Sequence, residues 1–305
     1  MPKSSICLKC LGFLDNEFEE TGLHITCYKE WFKIEKPFEG FVRRQSGSGG
    51  QEVDANDTAW NSSFFHGRFK KYSATLGGNS YIFKVKEDLA PELPDNEYLC
   101  NQIAHQLGLP IPDFYILKFG GERTFATKNF VQGVEIANLV HIFHYRKPEA
   151  EFCCEDLLGL ILQQTGRLAD AEIFVKTCLF DSLIGNHDRH GRNLGMLVTA
   201  KSTRLAPIYD NTSALGLEYG DFLKADWNPR GKMSTLISKE PTATDYVEEF
   251  LRLGFKDFMH SFFSSINLPK IITLVDKSFC SELMKAAMKK LITKRYDEIK
   301  NAIKT

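Results

Sequence analysis

"LFDSLIGNHDRHGRNLGML", residues 179–197, decides how this chain is read. Its first part is apolar at helical spacing and stops at Gly185-Asn186, a pair suited to ending a helix. Its last part, "NLGML", reads as a short strand. The nine residues "GNHDRHGRN" (185–193) therefore sit on a loop, and they hold two histidines, an aspartate and an asparagine. Three chemistries compete for such a loop. A metal site would use His187 and His190, but that spacing serves a metal on a helix, and no third ligand stands nearby in sequence. A hydrolase would need a G-x-S-x-G elbow, and Gly47-Ser48-Gly49 lacks both the leading strand and the following helix. A phosphotransferase relies on positioning and charge neutralisation, and it asks the rest of the chain for specific parts.

Each part has a candidate. Asp188 is placed to accept a hydroxyl proton. Asn193, five residues on, offers an amide oxygen to Mg2+, with the D-x4-N spacing of a kinase catalytic loop. Asp210 in "APIYDNTSAL" follows a short strand pair and supplies a second hard oxygen ligand. Lys84 in the strand "SYIFKVK" is placed to reach ATP phosphates. Glu97, thirteen residues later at the start of a helix, is placed to orient it. Each has a plainer explanation alone: a strand lysine is usually a surface charge, and Asp210 before Asn211 suits a turn. Their joint order and spacing point to a kinase-type ATP site.

Working outward, the chain has 305 residues, is 43% hydrophobic and carries a net charge of -1. That is enough for a real core, and it gives no global pull towards nucleic acid or an anionic membrane. No apolar run approaches the ~20 residues of a bilayer span, and "MPKSSICLKC" lacks a signal-peptide core. The expectation is a soluble cytoplasmic protein with no membrane contact and no direct nucleic-acid binding; export by a signal-less route is compatible with it. The eight cysteines are expected to be reduced thiols. Four residues form a pattern of their own. Cys7 and Cys10 in "CLKC", then His24 and Cys27 in "HITC", make two pairs with two-residue gaps, a spacing that lets three thiolates and an imidazole converge on a structural zinc.

The remaining pattern is strands first, then helices. "FFHGRFKKYSAT" and "SYIFKVK" read as a hairpin closed by the Gly-Gly of "LGGN". "PELPDNEYLCNQIAHQLGLPIP" reads as a helix with Pro94 near its start. "DFYILKF" and "RTFATKNFV" read as two further strands, while the Gly/Ser cluster at 43–57 reads as a mobile loop. "EDLLGLILQQT", "LADAEIFVKTCLFDSLIG" and the C-terminal "SELMKAAMKKLITKRYDEIKNAI" read as helices, with "NLGMLVT" and "RLAPIYD" as strands between. This predicts an α+β, two-lobed, protein-kinase-like fold: a Cys/His module at 1–35, a β-rich N-lobe at 36–132, and a mainly helical C-lobe at 133–305.

The stretch 179–197, together with "LAPIYDNTSAL", resembles the HipA-like Ser/Thr kinases, the toxin components of bacterial toxin–antitoxin systems. The CxxC/HxxC start is similar to that of their short, HipT-type members. The resemblance implies Asp188 as catalytic base, Asn193 and Asp210 as Mg2+ ligands, and Lys84 as the ATP-phosphate lysine. It also implies His190 and Arg192 as phosphate-side contacts, although Arg192 stands where the family has Lys. "KNFVQ", from Lys128 through Phe130, would be the adenine hinge. "SGSGGQE" resembles the family's phosphate loop, with Ser46, Ser48 and Gly49 near the nucleotide and a serine open to autophosphorylation. Val53 in place of Lys and the insert "DANDTAWNSS" depart from that loop, and Ser73 is the fallback serine. The implied partners are a protein substrate, in this family an aminoacyl-tRNA synthetase, and antitoxin proteins of the small HipS-like or DNA-binding HipB-like kind. Two other readings stay open: a phosphoinositide-type lipid kinase, whose D-R-H-x-x-N loop is similar, and a kinase-fold binding module without activity.

Overall fold

In the computed structural model the described residues are 6–14, 20–34, 44–46, 71–131, 137–145, 151–191 and 193–304. Two tight glycine turns set the first sheet. Strand β2 (Lys71–Leu76) meets β3 (Asn79–Lys84) across Gly77 and Gly78, both at positive φ (54° and 75°), as a two-residue hairpin with matching twist requires. Strands β4 (Phe114–Phe119) and β5 (Glu122–Lys128) repeat the device across Gly120 and Gly121. Of the loop expected at 43–57 only Arg44–Ser46 lies among the described residues, and it forms a three-residue strand, β1, paired antiparallel with β2. The resulting antiparallel sheet runs β1-β2-β3-β5-β4.

Two helices flank this sheet. Helix α1 (Ile25–Phe32) packs through Tyr28 and Phe32 into a cluster with Tyr81, Phe83 and Ile116 of the sheet. Helix α2 (Leu93–Gln106) carries a proline in its first turn, where a missing N–H costs nothing, and packs against β4 and β5. Glu97 lies one turn further in than the sequence spacing implied. Side-chain alternation on β3 splits its residues between two environments. Tyr81 and Phe83 join the α1 cluster, while Ile82 and Lys84 line a cavity on the opposite face.

The second lobe is built on helices α3 (Cys154–Thr165), α4 (Leu168–Ile184), α5 (Ala243–Arg252), α6 (Lys256–Ser265), α7 (Leu268–Lys277) and α8 (Glu282–Lys304). Helix α4 is buried on nearly all sides and is the core of this lobe, with α3, α5 and α8 packed round it. A small sheet, β6 (Asn138–His141), β7 (Gly195–Val198) and β8 (Thr203–Leu205), faces the first lobe. Strand β6 was not expected, because "NLVH" is too short to signal itself. Strand β8 ends at Leu205, before "APIYD", since Pro207 has no N–H for a ladder. Ile82 of the first lobe and Leu139, Leu197 and Tyr209 of the second form a common apolar cluster between the lobes. Among the described residues no helix is long and apolar enough to cross a membrane.

Candidate active site

The site begins where α4 stops. Gly185 closes the helix at φ 71°, and a Cβ there would lie 2.6 Å from Leu291 Cδ2, so neither the conformation nor the space admits a side chain. Asn186 donates from Nδ2 to Asp181 Oδ1 (2.9 Å) and accepts at Oδ1 from the Asp188 N–H (3.0 Å), which turns the chain and presents Asp188. Asn193 closes the loop: its Nδ2 donates to the Asp188 carbonyl (2.8 Å), leaving Oδ1 for a cation.

Arg189, only 2% exposed, holds this loop from behind. Its Nε and Nη2 grip both oxygens of Asp181 (2.8 and 3.1 Å), a bidentate pair. Its remaining donors reach the Tyr209 carbonyl (2.6 Å), the Asn193 carbonyl (3.3 Å) and Asn211 Oδ1 (2.6 Å). Asn211 in turn donates to Asn101 of α2 (3.1 Å). One guanidinium thus connects α4, the 185–193 loop and the Asp210 segment. Burial pushes the Asp181 carboxyl up, against the pull of Arg189. Between Tyr209 and Asn211, Asp210 takes a left-handed backbone (φ 54°), which aspartate tolerates better than most residues.

Across the cavity stand two lysines. Lys84 Nζ donates to Glu97 Oε1 and Asp210 Oδ1, both at 2.5 Å. Lys71 lies directly opposite Lys84 in the β2–β3 register, and its Nζ is 3.6 Å from the same Asp210 oxygen. Like charges directly opposed destabilise a sheet; here Asp210 and Glu97 offset them. Burial lowers Lys71 below the ordinary lysine range. For Lys84, Asp210 and Glu97 outweigh burial and raise it. Burial raises Asp210, but Lys71 and then Lys84 outweigh it and hold the carboxyl well below its usual range.

These groups line one cavity of about 480 Å³ between the lobes, within the range of small-ligand sites. Its lining includes the apolar side chains of Ile82, Phe125, Phe130 and Phe143 and the polar ones of Asp188, Asn193 and Asp210. A second opening of about 380 Å³ shares Asp188, Asn193 and Asp210 and adds His187, Thr212 and Lys232. Lys128 and Phe130 line the cavity. The backbone N–H groups of Lys128, Asn129 and Val131 are already bonded, to the Asp113 carbonyl, the Ser80 carbonyl and Asn129 Oδ1. His190 lines the cavity, stacks on Phe152 and approaches Asp188 Oδ1 at 3.8 Å. Arg192, Ser48, Gly49 and the side chain of Ser46 lie outside the described residues. Ser73 is buried on β2 opposite Ile82, on the cavity face of the sheet. Cys7, Cys10, His24 and Cys27 meet one another, away from this cavity.

Three participants escaped the sequence reading. Lys71 was computable: a two-residue turn at 77–78 sets residue 71 opposite 84. Arg189 was visible beside Asp188, but its burial depends on Asp181, in the last turn of α4. Lys232 had no signal at all. It lies in an irregular segment 44 residues downstream, held by the Ser234–Phe152 and Cys154–Ser234 backbone bonds, and its Nζ sits 2.5 Å from Asp188 Oδ1.

The loop also tests its own packing. A Cβ on Gly191 would lie 2.1 Å from the Phe152 ring, which supports His190. Gly191→Ala is expected to destabilise the chain by about 1–3 kcal/mol, read as a lower urea midpoint at unchanged slope.

A family model described as the HipA-like C-terminal domain matches residues 59–286. A Sinorhizobium fredii protein named "Putative kinase Y4dM" is 26% identical over 186 residues, 54% of this chain and 45% of the relative. A Haemophilus influenzae protein named "Putative kinase" is 28% identical over 161 residues, 46% of this chain and 47% of the relative. The chain thus spans about half the length of the curated relatives it matches. The crystal structure of a Helicobacter pylori proinflammatory kinase, CtkA, superposes with a TM-score of 0.64 at 20% identity, covering 77% of this chain and 94% of that one. That likeness concerns the fold, which is the two-lobed, protein-kinase-like one.

Proposed function

Since the chain belongs to the HipA-like C-terminal domain family, we propose that it is an ATP- and Mg2+-dependent serine/threonine protein kinase of that family's toxin type. The observation that carries this reading is the convergence of Lys84, Glu97, Asp188, Asn193 and Asp210 on one inter-lobe cavity. The donor set suits the ligands. Asn193 Oδ1 and the Asp210 carboxylate are hard oxygen donors of the kind Mg2+ takes, and two buried ammonium groups opposite them suit a polyphosphate. Bound Mg·ATP would supply the phosphoryl group and the metal charge that offsets its negative oxygens.

The chain's own residues do the rest. Lys84, fixed by Glu97, orients phosphate oxygens, and Lys71 adds a second positive charge beside it. Ile82, Phe125 and Phe130 enclose the adenine and exclude water. Asp188 accepts the proton of the acceptor hydroxyl as that oxygen bonds to phosphorus; the broken bond's electron pair leaves on ADP. His190, Arg192 and Lys232 neutralise charge on the transferred group.

Lys232 was found only through the structure, and its contribution is measurable. An ammonium within 2.5 Å of the base carboxylate sits beside the reacting oxygen. Because both side chains are about half exposed, the effect is smaller than for a buried donor. Lys232→Ala is expected to lower kcat roughly tenfold with little change in KM for ATP, read by steady-state kinetics.

The family's chemistry extends this to a protein substrate, by resemblance an aminoacyl-tRNA synthetase, and to autophosphorylation at Ser46, Ser48 or Ser73. It also extends to antitoxin partners of the HipS-like or HipB-like kind, with the chain acting in the cytoplasm. Incubation with Mg2+ and [γ-32P]ATP, offering protein acceptors and phosphoinositide vesicles side by side, tests the assignment. Label on protein serine or threonine is the expected result. Label in lipid alone would make it a lipid kinase, and nucleotide binding without label in either would make it a binding module.

A further inference from the structure

The four N-terminal donors take no part in the cavity, yet the fold gathers them. Cys7 and Cys10 come from the loop before α1, His24 is the residue that opens α1, and Cys27 follows in its first turn. Their ligating atoms all lie within 4.8 Å of one another, and all three thiols are free. Cys10 Sγ is 3.3 Å and Cys27 Sγ 3.8 Å from His24 Nδ1. A tetrahedral zinc with thiolates at ~2.3 Å and imidazole nitrogen at ~2.0–2.1 Å would set neighbouring donors about 3.5–3.8 Å apart. The observed separations are close to that.

Orientation agrees with distance. His24 Nε2 lies 2.6 Å from the Phe13 carbonyl, which only an N–H can satisfy, so the Nδ1 lone pair faces the sulfurs. An outer carbonyl that fixes the tautomer in this way is the usual companion of a metal-bound histidine. The Cys7 N–H donates to the Gly12 carbonyl (2.8 Å) and the Leu11 N–H to the Cys7 carbonyl (2.9 Å), which fold the loop that carries the first pair. Between the first pair and the helix, Leu11 holds a left-handed φ of 61°, a strained turn that needs something to hold it.

The packing says what such an ion would do. Helix α1 has eight residues, too few to be stable alone. Its Phe32 ring meets Tyr81 of β3 (5.5 Å) and Tyr115 of β4 (4.9 Å), and the Lys118 N–H donates to the Thr21 carbonyl (2.8 Å). Tyr81 is on the strand that carries Lys84 to the cavity.

We propose that Cys7, Cys10, His24 and Cys27 bind a structural Zn2+ that clamps α1 to the outer face of the sheet bearing Lys84. Four protein ligands leave no position open for chemistry. The site stands independently of phosphoryl transfer, and its test reads metal rather than activity. The full chain, purified without chelator, is expected to contain one zinc per molecule by mass spectrometry. Cys10→Ser and His24→Ala lose it, His24→Cys retains it, and Cys153→Ser, in the other lobe, retains it. Should the variants fail to fold, the wild-type chain stripped by chelator and titrated with Co2+ gives the answer. One equivalent produces the thiolate charge-transfer and tetrahedral d–d bands, and Zn2+ raises the melting temperature by about 5 °C or more. A wild-type chain free of zinc with no tetrahedral cobalt spectrum overturns the proposal, as does equal zinc content in wild type and Cys10→Ser.

Discussion

Arg189→Ala is expected to cost about 3–5 kcal/mol of folding stability, the range for removing one partner of a buried pair, and to lower the melting temperature by roughly 10 °C. The reason lies in what remains. Asp181, 3% exposed, loses the guanidinium that grips both its oxygens and keeps only the Asn186 amide. The Tyr209 carbonyl and Asn211 Oδ1 lose their short bonds at the same moment. Arg189→Lys should recover little, because an ammonium cannot reproduce the fork that binds Asp181 while reaching Tyr209. Joint replacement by Asp181→Leu and Arg189→Met should cost less than the sum of the single changes, since no buried charge is then stranded. Thermal denaturation of Arg189→Ala, Arg189→Lys, Asp181→Leu, Arg189→Met and the Asp181→Leu/Arg189→Met pair reads all of this. A cost for Arg189→Ala below about 1 kcal/mol, the size of an ordinary surface change, would show that the network is not what holds the loop.

How far the sequence could be read follows from the range over which each residue acts. Glycine pairs at 77–78 and 120–121 are local devices, so both hairpins were legible or computable. Helices α3, α4 and α8 announce themselves by apolar spacing. Asp188 and Asn193 share one loop, and the structure brings Lys84, Glu97 and Asp210 to the same cavity in the order the spacing implied. The unread parts act across distance in the chain. Lys232 reaches Asp188 from an irregular segment with no periodicity. Arg189 is meaningful only once the end of α4 places Asp181 beneath it. Strand β6 exists because β7 pairs with it, not because "NLVH" prefers to be extended. In the same way, Arg44–Ser46 is extended because the edge of β2 offers it hydrogen bonds.

Asp188→Asn carries the largest expected effect on chemistry. The substitution preserves shape, and the amide oxygen can still accept from Lys232. What disappears is the ability to take a proton. Loss of a positioned base lowers the rate by about 10²–10⁴-fold, while Asn193, Asp210 and Lys84 are untouched, so Mg·ATP affinity should stay within a few-fold by calorimetry. That split between binding and turnover separates a lost base from a damaged site.

One comparison tests the proposed kinase activity most directly: the initial rate of ³²P transfer from [γ-32P]ATP to protein by the wild-type chain and by Asp188→Asn, each with Mg2+ and with EDTA. The expected result is Mg2+-dependent labelling by the wild type and a rate at least about a hundredfold lower for Asp188→Asn. Equal labelling by the two proteins, or no labelling by a wild-type chain that is folded and binds Mg·ATP, would contradict it.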